Sequence, residues 1–310
     1  MVFSLSSTTA LSKTYYVAVL QALLVTILWS SSWVIIKFGL RELSPLVFAG
    51  LRYSIASLIL LGMIFSKMEY RNSIKGKSSE WWIIIGVYGV IFVAITQGSL
   101  FVGLEFLPAI TVSLLLSLTP IVVLVLSVSL LKEVPSVVQS FFILLAVFGA
   151  IIYFYPIDLA SSELFGFFVV CTGVLANAFS VIMGRKINKP GNVPPIVVTG
   201  FSMALGAFLL LVFGILIEGL PSLSLVSLLL VLWLSVVNTA FAFTLWNRSM
   251  QKLRAIDNSL INNTMLPQIV ILSIIFLGEL PGLLEWVGLI LIGLSVLVVQ
   301  ISQAVKGNTL

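Results

Sequence analysis

The chain has 310 residues, of which 60% are hydrophobic and only 9% are charged, and its formal net charge is +5. A soluble domain carries about 25% charged residues, so this composition excludes an ordinary water-exposed surface and indicates that a membrane is the solvent. The chain contains no histidine and one cysteine, Cys171; it therefore lacks a disulfide framework and the commonest metal ligand and general base. We expect no metal, no cofactor and no enzymatic activity.

Apolar runs of about 20 residues recur along the whole chain, each long enough to cross a hydrocarbon core of about 30 Å. Charged residues, glycine or proline end the runs. The first run is long and is not followed by a clear cleavage site, so it is interpreted as a retained span. The sequence predicts an all-α membrane protein with ten transmembrane helices. These lie at 16–36, 45–66, 81–103, 109–131, 136–155, 164–184, 195–217, 225–246, 257–277 and 283–302.

Basic residues fall mainly on one side of this ten-span arrangement. The loop at 67–77 carries a cluster of lysine and arginine, whereas the opposite side has only Lys37 and Arg41. Because lysine and arginine favour short cytoplasmic loops, we expect both termini in the cytoplasm and the chain in a plasma or inner membrane. The cluster at 67–77 is interpreted as an orientation signal in contact with lipid headgroups, not as a nucleic-acid site.

The two halves of the chain resemble each other at a spacing of about 148 residues. Each half holds five predicted spans, and since five is odd the second copy enters the membrane from the opposite side. Inverted repeats of this kind are typical of transporters. We therefore predict one five-helix repeat at 1–155 and a second at 156–310. The matching pairs are WSSSWVIIK at 29–37 with NAFSVIMGR at 177–185, SPLVFAGLRY at 44–53 with PPIVVTGFSM at 194–203, and LLKEVPSVVQ at 130–139 with FLGELPGLLE at 276–285.

These segments resemble the drug/metabolite transporter superfamily, in its ten-span form with two EamA-like repeats. The resemblance implies passage of metabolites, often amino acids, by alternating access through a central cavity. Two positions depart from the internal match, because the second copy has Ser202 opposite Arg52 and Asn177 opposite the first tryptophan. The residues that carry the resemblance are ILWSSSWVIIK at 27–37, LRY at 51–53, LTPIV at 118–122 followed by KE at 132–133, LWNRSMQKLRA at 245–255, and MLPQIV with LGE within 265–279.

Polar side chains within spans are costly in lipid, so they face either protein or a cavity. In the first span helical spacing places Trp29 and Trp33 on one face, Ser32 on its flank and Ser31 on the opposite side. We predict that Trp29, Ser32 and Trp33 line a substrate cavity.

Two further spans carry amides. Asn177 and Ser180 share a stripe of small residues in the sixth span, and Asn262 and Asn263 lie in the ninth, the most polar span. Small residues also permit close helix packing, and the amides could form ordinary interhelical hydrogen bonds. As substrate ligands, amides both donate and accept, as recognition of a zwitterion or a sugar requires.

Arg52 is the one basic residue well inside a span. It is interpreted as a counter-ion for a substrate carboxylate, with snorkelling to the interface as the alternative. Trp246 is predicted to stack on the substrate. Pro120 and Pro267 are expected to have a structural or gating role, because proline frees a backbone carbonyl and allows a helix to kink.

The sequence therefore predicts a secondary transporter or exporter of small metabolites, foremost amino acids or similar neutral or zwitterionic solutes. The expected partners are the small-molecule substrate and the lipid bilayer. A multidrug or cation antiporter is an alternative, but it needs a buried carboxylate, and Glu105, Glu133, Asp257 and Glu279 all lie at span edges. A non-transporting receptor or scaffold is another alternative. A membrane enzyme is disfavoured because histidine and paired aspartates are missing.

Overall fold

The computed structural model describes residues 3–131, 135–156, 160–187, 193–250, 252–253 and 261–307. Every regular element among these residues is helical, so the prediction of an all-α protein is confirmed. Glu133, Asp158 and Asp257, which entered the charge analysis, lie outside the described residues.

The first half contains α1 Phe3–Gly39, α2 Pro45–Ser66, α3 Met68–Ile74, α4 Ser79–Gly89, α5 Thr96–Phe106, α6 Ala109–Ser117, α7 Thr119–Leu131 and α8 Val137–Tyr153. The second half contains α9 Ser161–Ile187, α10 Pro195–Glu218, α11 Leu225–Ser235, α12 Ala242–Met250, α13 Met265–Leu277 and α14 Leu283–Gly307.

Eight helical stretches are long and apolar enough to cross a membrane. Two shorter apolar helices, Val137–Tyr153 and Ile261–Leu277, occupy the fifth and ninth predicted positions. The chain is therefore a multi-pass membrane protein. The eight longer stretches are Tyr15–Gly39, Pro45–Ser66, Ser79–Phe106, Ala109–Leu126, Ser161–Gly184, Pro195–Glu218, Leu225–Ser249 and Leu283–Ser302.

One π-helical turn interrupts the third helical stretch of each half. Val90–Ile95 joins α4 to α5, and Val236–Phe241 joins α11 to α12. In each turn a threonine hydroxyl donates to a backbone carbonyl five residues earlier. Thr96 donates to the carbonyl of Ile91 and Thr239 to that of Leu234, both at 2.8 Å. π-turns within α-helices are frequent at functional sites, and these two lie at corresponding places in the halves.

Glycines allow the tightest helix pairs to form. α2 packs against α10, where a Cβ on Gly50 would contact the backbone of Leu211 and a Cβ on Gly214 the backbone of Leu46. α8 packs against α14 in the same way, through Gly149. Close packing of small residues is the usual basis of helix association in lipid.

The helices that surround the site have different neighbours. α13 packs on α1 and α6, whereas α14 packs mainly on α8. α9 packs on α5 and α7. This arrangement leaves space between α13, α14 and α9.

Candidate functional site

A cavity of about 840 Å³ lies in this space, lined by residues of α1, α6, α7, α9, α13, α14 and the short helical segment 261–263 before α13. Most of its wall is aliphatic, with the polar groups distributed over five of these elements. The polar residues and prolines that line it are Ser113, Ser117, Thr119, Pro120, Asn177, Asn262, Asn263, Pro267 and Gln300, and the tryptophans are Trp33 and Trp286.

Both predicted prolines line the cavity next to a helix interruption. Pro120 lies just after the break between α6 and α7, where the hydroxyls of Ser117 and Thr119 donate to the carbonyls of Leu114 and Leu116 at 2.7 Å. These hydroxyls satisfy carbonyls near the break, as expected where proline cannot donate.

Pro267 has a similar setting, since the helix is interrupted at Thr264, whose hydroxyl donates to the carbonyl of Ile261 at 2.6 Å. A gating role of the two prolines stays a prediction.

Three predicted amides meet at this cavity. Asn177 Nδ2 donates to Thr119 Oγ1 at 3.2 Å, which connects α9 to α7. Asn263 Nδ2 donates to Gln300 Oε1 at 2.6 Å, which connects the helical residues just before α13 to α14. Asn262 lies beside them with an exposed side chain. Sequence reasoning missed Gln300, although it is an amide in the apolar run of the last span.

Two tryptophans form part of the apolar wall. Trp33 is 8% exposed and also packs into the main hydrophobic core. Trp286 is 40% exposed and lies near the start of α14. Sequence reasoning did not select Trp286, because a tryptophan at the start of a span is typical of the interfacial belt.

Three other predicted residues are not among those that line the cavity. Trp29 packs on Trp246 and Phe243, with ring centroids 5.2 and 5.3 Å apart, so both predicted tryptophans belong to an aromatic cluster between α1 and α12. Ser180 donates to the carbonyl of Asn177 at 2.7 Å. Its hydroxyl also lies 3.5 Å from Asn177 Oδ1, so it is next to an amide that lines the cavity.

Arg52 is also outside the cavity lining. The residue is 5% exposed, and its Nε donates to Thr239 Oγ1 at 3.0 Å. Its guanidinium carbon lies 5.1 Å from the ring centre of Tyr53 and 5.9 Å from that of Phe101. Within the described part of the chain no acidic side chain pairs with it. The two aromatic faces stabilise the cation.

Ser32 contacts a fully buried amide that sequence reasoning missed. Asn238, in the second π-turn, donates to Ser32 Oγ at 3.0 Å, to Ser31 Oγ at 3.1 Å and to the carbonyl of Leu28. Its Oδ1 has no hydrogen-bond partner among the described residues. The two serines, assigned to different sides of α1 by helical spacing, therefore share one partner.

The lining residues set the chemistry of the cavity. None of the described residues that line it is charged. Amides and hydroxyls can donate to and accept from a neutral polar group, and tryptophan and aliphatic side chains can cover an apolar surface. The cavity suits an uncharged solute that combines both features.

The comparison with known protein families is consistent with this geometry. A family model described as the EamA-like transporter family matches residues 16–155 and matches again at residues 164–301.

Individual relatives are similar over most of the chain. A Bacillus subtilis (strain 168) protein named Uncharacterized transporter YoaV is 27% identical over 230 residues, covering 72% of this chain and 75% of that protein. Uncharacterized transporter YyaM of the same organism is 23% identical over 271 residues, covering 84% and 86%. A protein of known crystal structure matches with a TM-score of 0.62 over 93% of this chain and 98% of its own, at 18% identity. At that identity the similarity concerns the fold alone.

Proposed function

This chain belongs to the EamA-like transporter family of the drug/metabolite transporter superfamily, and on that premise we propose that it carries small neutral or zwitterionic metabolites by alternating access. The observation that carries the proposal is the cavity of about 840 Å³, which is lined by amides from separate helices and by two tryptophans. Its volume lies within the range of about 300–1,000 Å³ found for small-molecule sites.

We further propose ten spans built as two inverted five-helix repeats, 1–155 and 156–310, with both termini in the cytoplasm. The two matched segments support this division. The corresponding π-turns at Val90–Ile95 and Val236–Phe241 support it as well, because duplicated sequences place the same irregularity at the same position. Under this topology the end of the bundle with Lys37 faces outward.

In the proposed site the residues have different tasks. Asn177, Asn262 and Asn263 bind the polar part of the solute, and Trp33 covers its apolar part. Ser180 acts through Asn177, because its hydroxyl lies 3.5 Å from Asn177 Oδ1.

The remaining proposed residues act from the layer behind the cavity. Ser32 contributes through Asn238, Trp29 and Trp246 through their aromatic cluster, and Pro120 and Pro267 by allowing their spans to bend. Arg52 is proposed as the group that would attract a substrate carboxylate. The contacts that support these assignments are those of Ser32 to Asn238, of Arg52 to Thr239 and of Trp29 to Phe243.

Alternating access requires contacts that close one end of the pathway. The Glu279 carboxylate, just after α13, accepts hydrogen bonds from the backbone N–H groups of Ala109 and Ile110 at the start of α6. Under the proposed topology these contacts join the outer ends of the fourth and ninth spans. The described arrangement is therefore consistent with an outwardly closed state.

Flux through purified protein in liposomes tests the proposal. A panel of radiolabelled amino acids, nucleosides and sugars should include at least one solute that shows saturable uptake, absent from protein-free liposomes. Asn262→Ala should weaken that uptake, whereas Thr172→Ala, a matched polar change on the exposed side of α9, should not. If the folded protein moved none of these solutes, the proposed function would be wrong.

A further inference from the structure

Building on the proposed function, we propose that the cavity opens sideways into the bilayer between α13 and α14 and accepts a neutral amphiphile. Such a molecule has one uncharged hydrogen-bonding head and one apolar tail. It would enter from the cytoplasmic leaflet rather than from water.

The first observation is a continuous exposed stripe on α13. Pro267 and Ile271 line the cavity, and Ile271 is 55% exposed. One helical turn further on, Ile275 is 65% exposed but does not line the cavity. Since residues four apart lie on one face of a helix, the surface that lines the cavity continues onto the outside of the molecule.

α14 has a corresponding stripe. Ile290 and Leu294 line the cavity and are 56% and 52% exposed. Trp286 also lines it and is 40% exposed. Leu283, at the start of the same helix, is 81% exposed and does not line the cavity. The cavity is therefore continuous with the molecular surface on this helix too.

The neighbours of the two helices explain the opening. α13 is held by α1 and α6, while the opposite face of α14 is held by α8 through the close approach of Leu291 and Ile292 to Gly149. With each helix fixed to a different partner, the groove between their exposed stripes is left open.

The groove faces lipid because its rim is aliphatic. Ile290 and Leu294 lie in the middle of Leu283–Ser302, which is long and apolar enough to cross a membrane. Ile271 lies in the middle of the shorter apolar helix Ile261–Leu277. A water-filled mouth would leave these side chains hydrated, whereas acyl chains cover them at no such cost.

The amides of the lining lie towards one end of the groove, whereas the hydroxyls of Ser113, Ser117 and Thr119 donate to nearby backbone carbonyls. Gln300 and its partner Asn263 lie near the cytoplasmic end under the proposed topology, with Asn262 and Asn177 beside them. Ile290 precedes Gln300 by ten residues, which corresponds to about 15 Å along a helix. An amphiphile of the cytoplasmic leaflet is oriented in the same way, with its polar head at the membrane surface and its apolar tail towards the midplane.

The head should be uncharged. The described lining contains no charged side chain to compensate an ion, and a charge held in a low-dielectric site without a partner is strongly disfavoured. Amides that donate and accept are suited to a hydroxylated or amide head group instead.

Collision measurements on spin labels test the lateral opening. Ile271→Cys and Ile290→Cys, each in a Cys171→Ala background, would carry a nitroxide in reconstituted full-length protein. Leu144→Cys, at an exposed position on α8, supplies the lipid control, and Asn72→Cys, on exposed α3, supplies the water control. We expect both groove labels to collide with oxygen as the Leu144→Cys label does and to be shielded from the nickel chelate NiEDDA.

Binding tests the ligand class. The Ile290→Cys label should be immobilised by monolaurin, which has a neutral glycerol head and a twelve-carbon chain, but neither by glycerol nor by dodecyl phosphate. Asn262→Ala should shift the monolaurin titration about 5- to 30-fold to higher concentration. Asn262 is chosen because Asn263 also connects two helices through Gln300.

The outcomes separate this inference from the proposed function. NiEDDA access equal to that of the water control would overturn the lateral opening, even with solute flux intact. Equal immobilisation by monolaurin and dodecyl phosphate would overturn the neutral-head assignment and indicate a groove for surrounding lipid. Absence of flux for every amino acid, nucleoside and sugar in liposomes, with lipid-accessible labels, would refute the proposed transport of those solutes and leave the groove in place.

Discussion

The Glu279 Oε1 atom accepts a hydrogen bond of 2.8 Å from the backbone N–H of Ala109, across 170 residues of sequence. Its Oε2 atom accepts a second, of 3.0 Å, from the N–H of Ile110. The free N–H groups at a helix start carry partial positive charge, so a carboxylate there is favourable. One acidic side chain thus joins the end of α13 to the start of α6.

Glu279→Gln should weaken this junction. The neutral amide keeps only one acceptor atom, and charge-assisted hydrogen bonds are the stronger ones. We expect a loss of about 1–3 kcal/mol in stability, seen as a lower melting temperature in detergent. Glu285→Gln is the matched control, because the carboxylate of Glu285 accepts a local and exposed hydrogen bond from the N–H of Gly282, three residues earlier. Equal melting temperatures for the two variants would contradict the role of Glu279.

A methyl group on Gly206 should disturb the contact between α10 and α4. Its Cβ would meet the carbonyl of Gly89 and the side chain of Val93. Overpacking of this kind costs about 1–3 kcal/mol, so Gly206→Ala should melt at a lower temperature. Gly62→Ala, with nothing near its Cβ, should melt at or above the parent temperature, since alanine favours the helix. The reverse order would show that the α10–α4 contact is not tight.

Asn177→Ala should lower transport affinity without unfolding the protein. The amide bonds to Thr119 Oγ1, but that hydroxyl also donates to the carbonyl of Leu116 at 2.7 Å and stays satisfied. Losing a hydrogen bond to the solute costs about 1–2 kcal/mol, or roughly a 5- to 30-fold rise in the half-saturation concentration. Uptake titrations and melting curves would be measured together. Unchanged uptake, or loss of uptake only through unfolding, would remove Asn177 from the site.

Arg52→Met distinguishes a counter-ion from a structural cation. We expect the variant to move a neutral solute as the parent does, because the guanidinium is not among the described groups that line the cavity. A solute with a carboxylate should lose about tenfold or more in affinity, corresponding to about 1.4 kcal/mol. The same response to both solutes would exclude Arg52 as a counter-ion. Folding is expected to persist, since a buried charge without an acidic partner is itself costly and methionine is a flexible apolar side chain that fills irregular space.

The proposed topology predicts opposite labelling of two exposed positions. Lys75→Cys lies between α3 and α4, and Ala160→Cys lies just before α9. In a Cys171→Ala background, an impermeant maleimide should reach position 160 from outside intact cells and position 75 only after permeabilisation. Labelling of both from the same face would overturn the ten-span map.

The positions of the helices could be predicted because hydropathy and length are local properties. The predicted span 45–66 coincides with α2 Pro45–Ser66, and 195–217 ends one residue before α10 does. The lipid bilayer imposes the same minimum length on every span, so the lengths and positions of the apolar runs were enough to place the helices. The π-turns at Val90–Ile95 and Val236–Phe241 were not anticipated, because hydropathy does not report the hydrogen-bond pattern of the backbone within an apolar run.

By itself the sequence determined that this protein lies in a membrane, where its helices run, and that amides at positions 177, 262 and 263 needed partners. Only the tertiary structure decided which of them share a cavity, because helical period orients a side chain but does not say which helix it meets. Gln300 became the partner of Asn263, Trp286 a cavity wall, and Thr239 the partner of Arg52. These pairings depend on contacts between residues far apart in the sequence, which pack α13 against α1 and α14 against α8. The proposed sideways opening has the same origin, because α13 and α14 are packed against different helices.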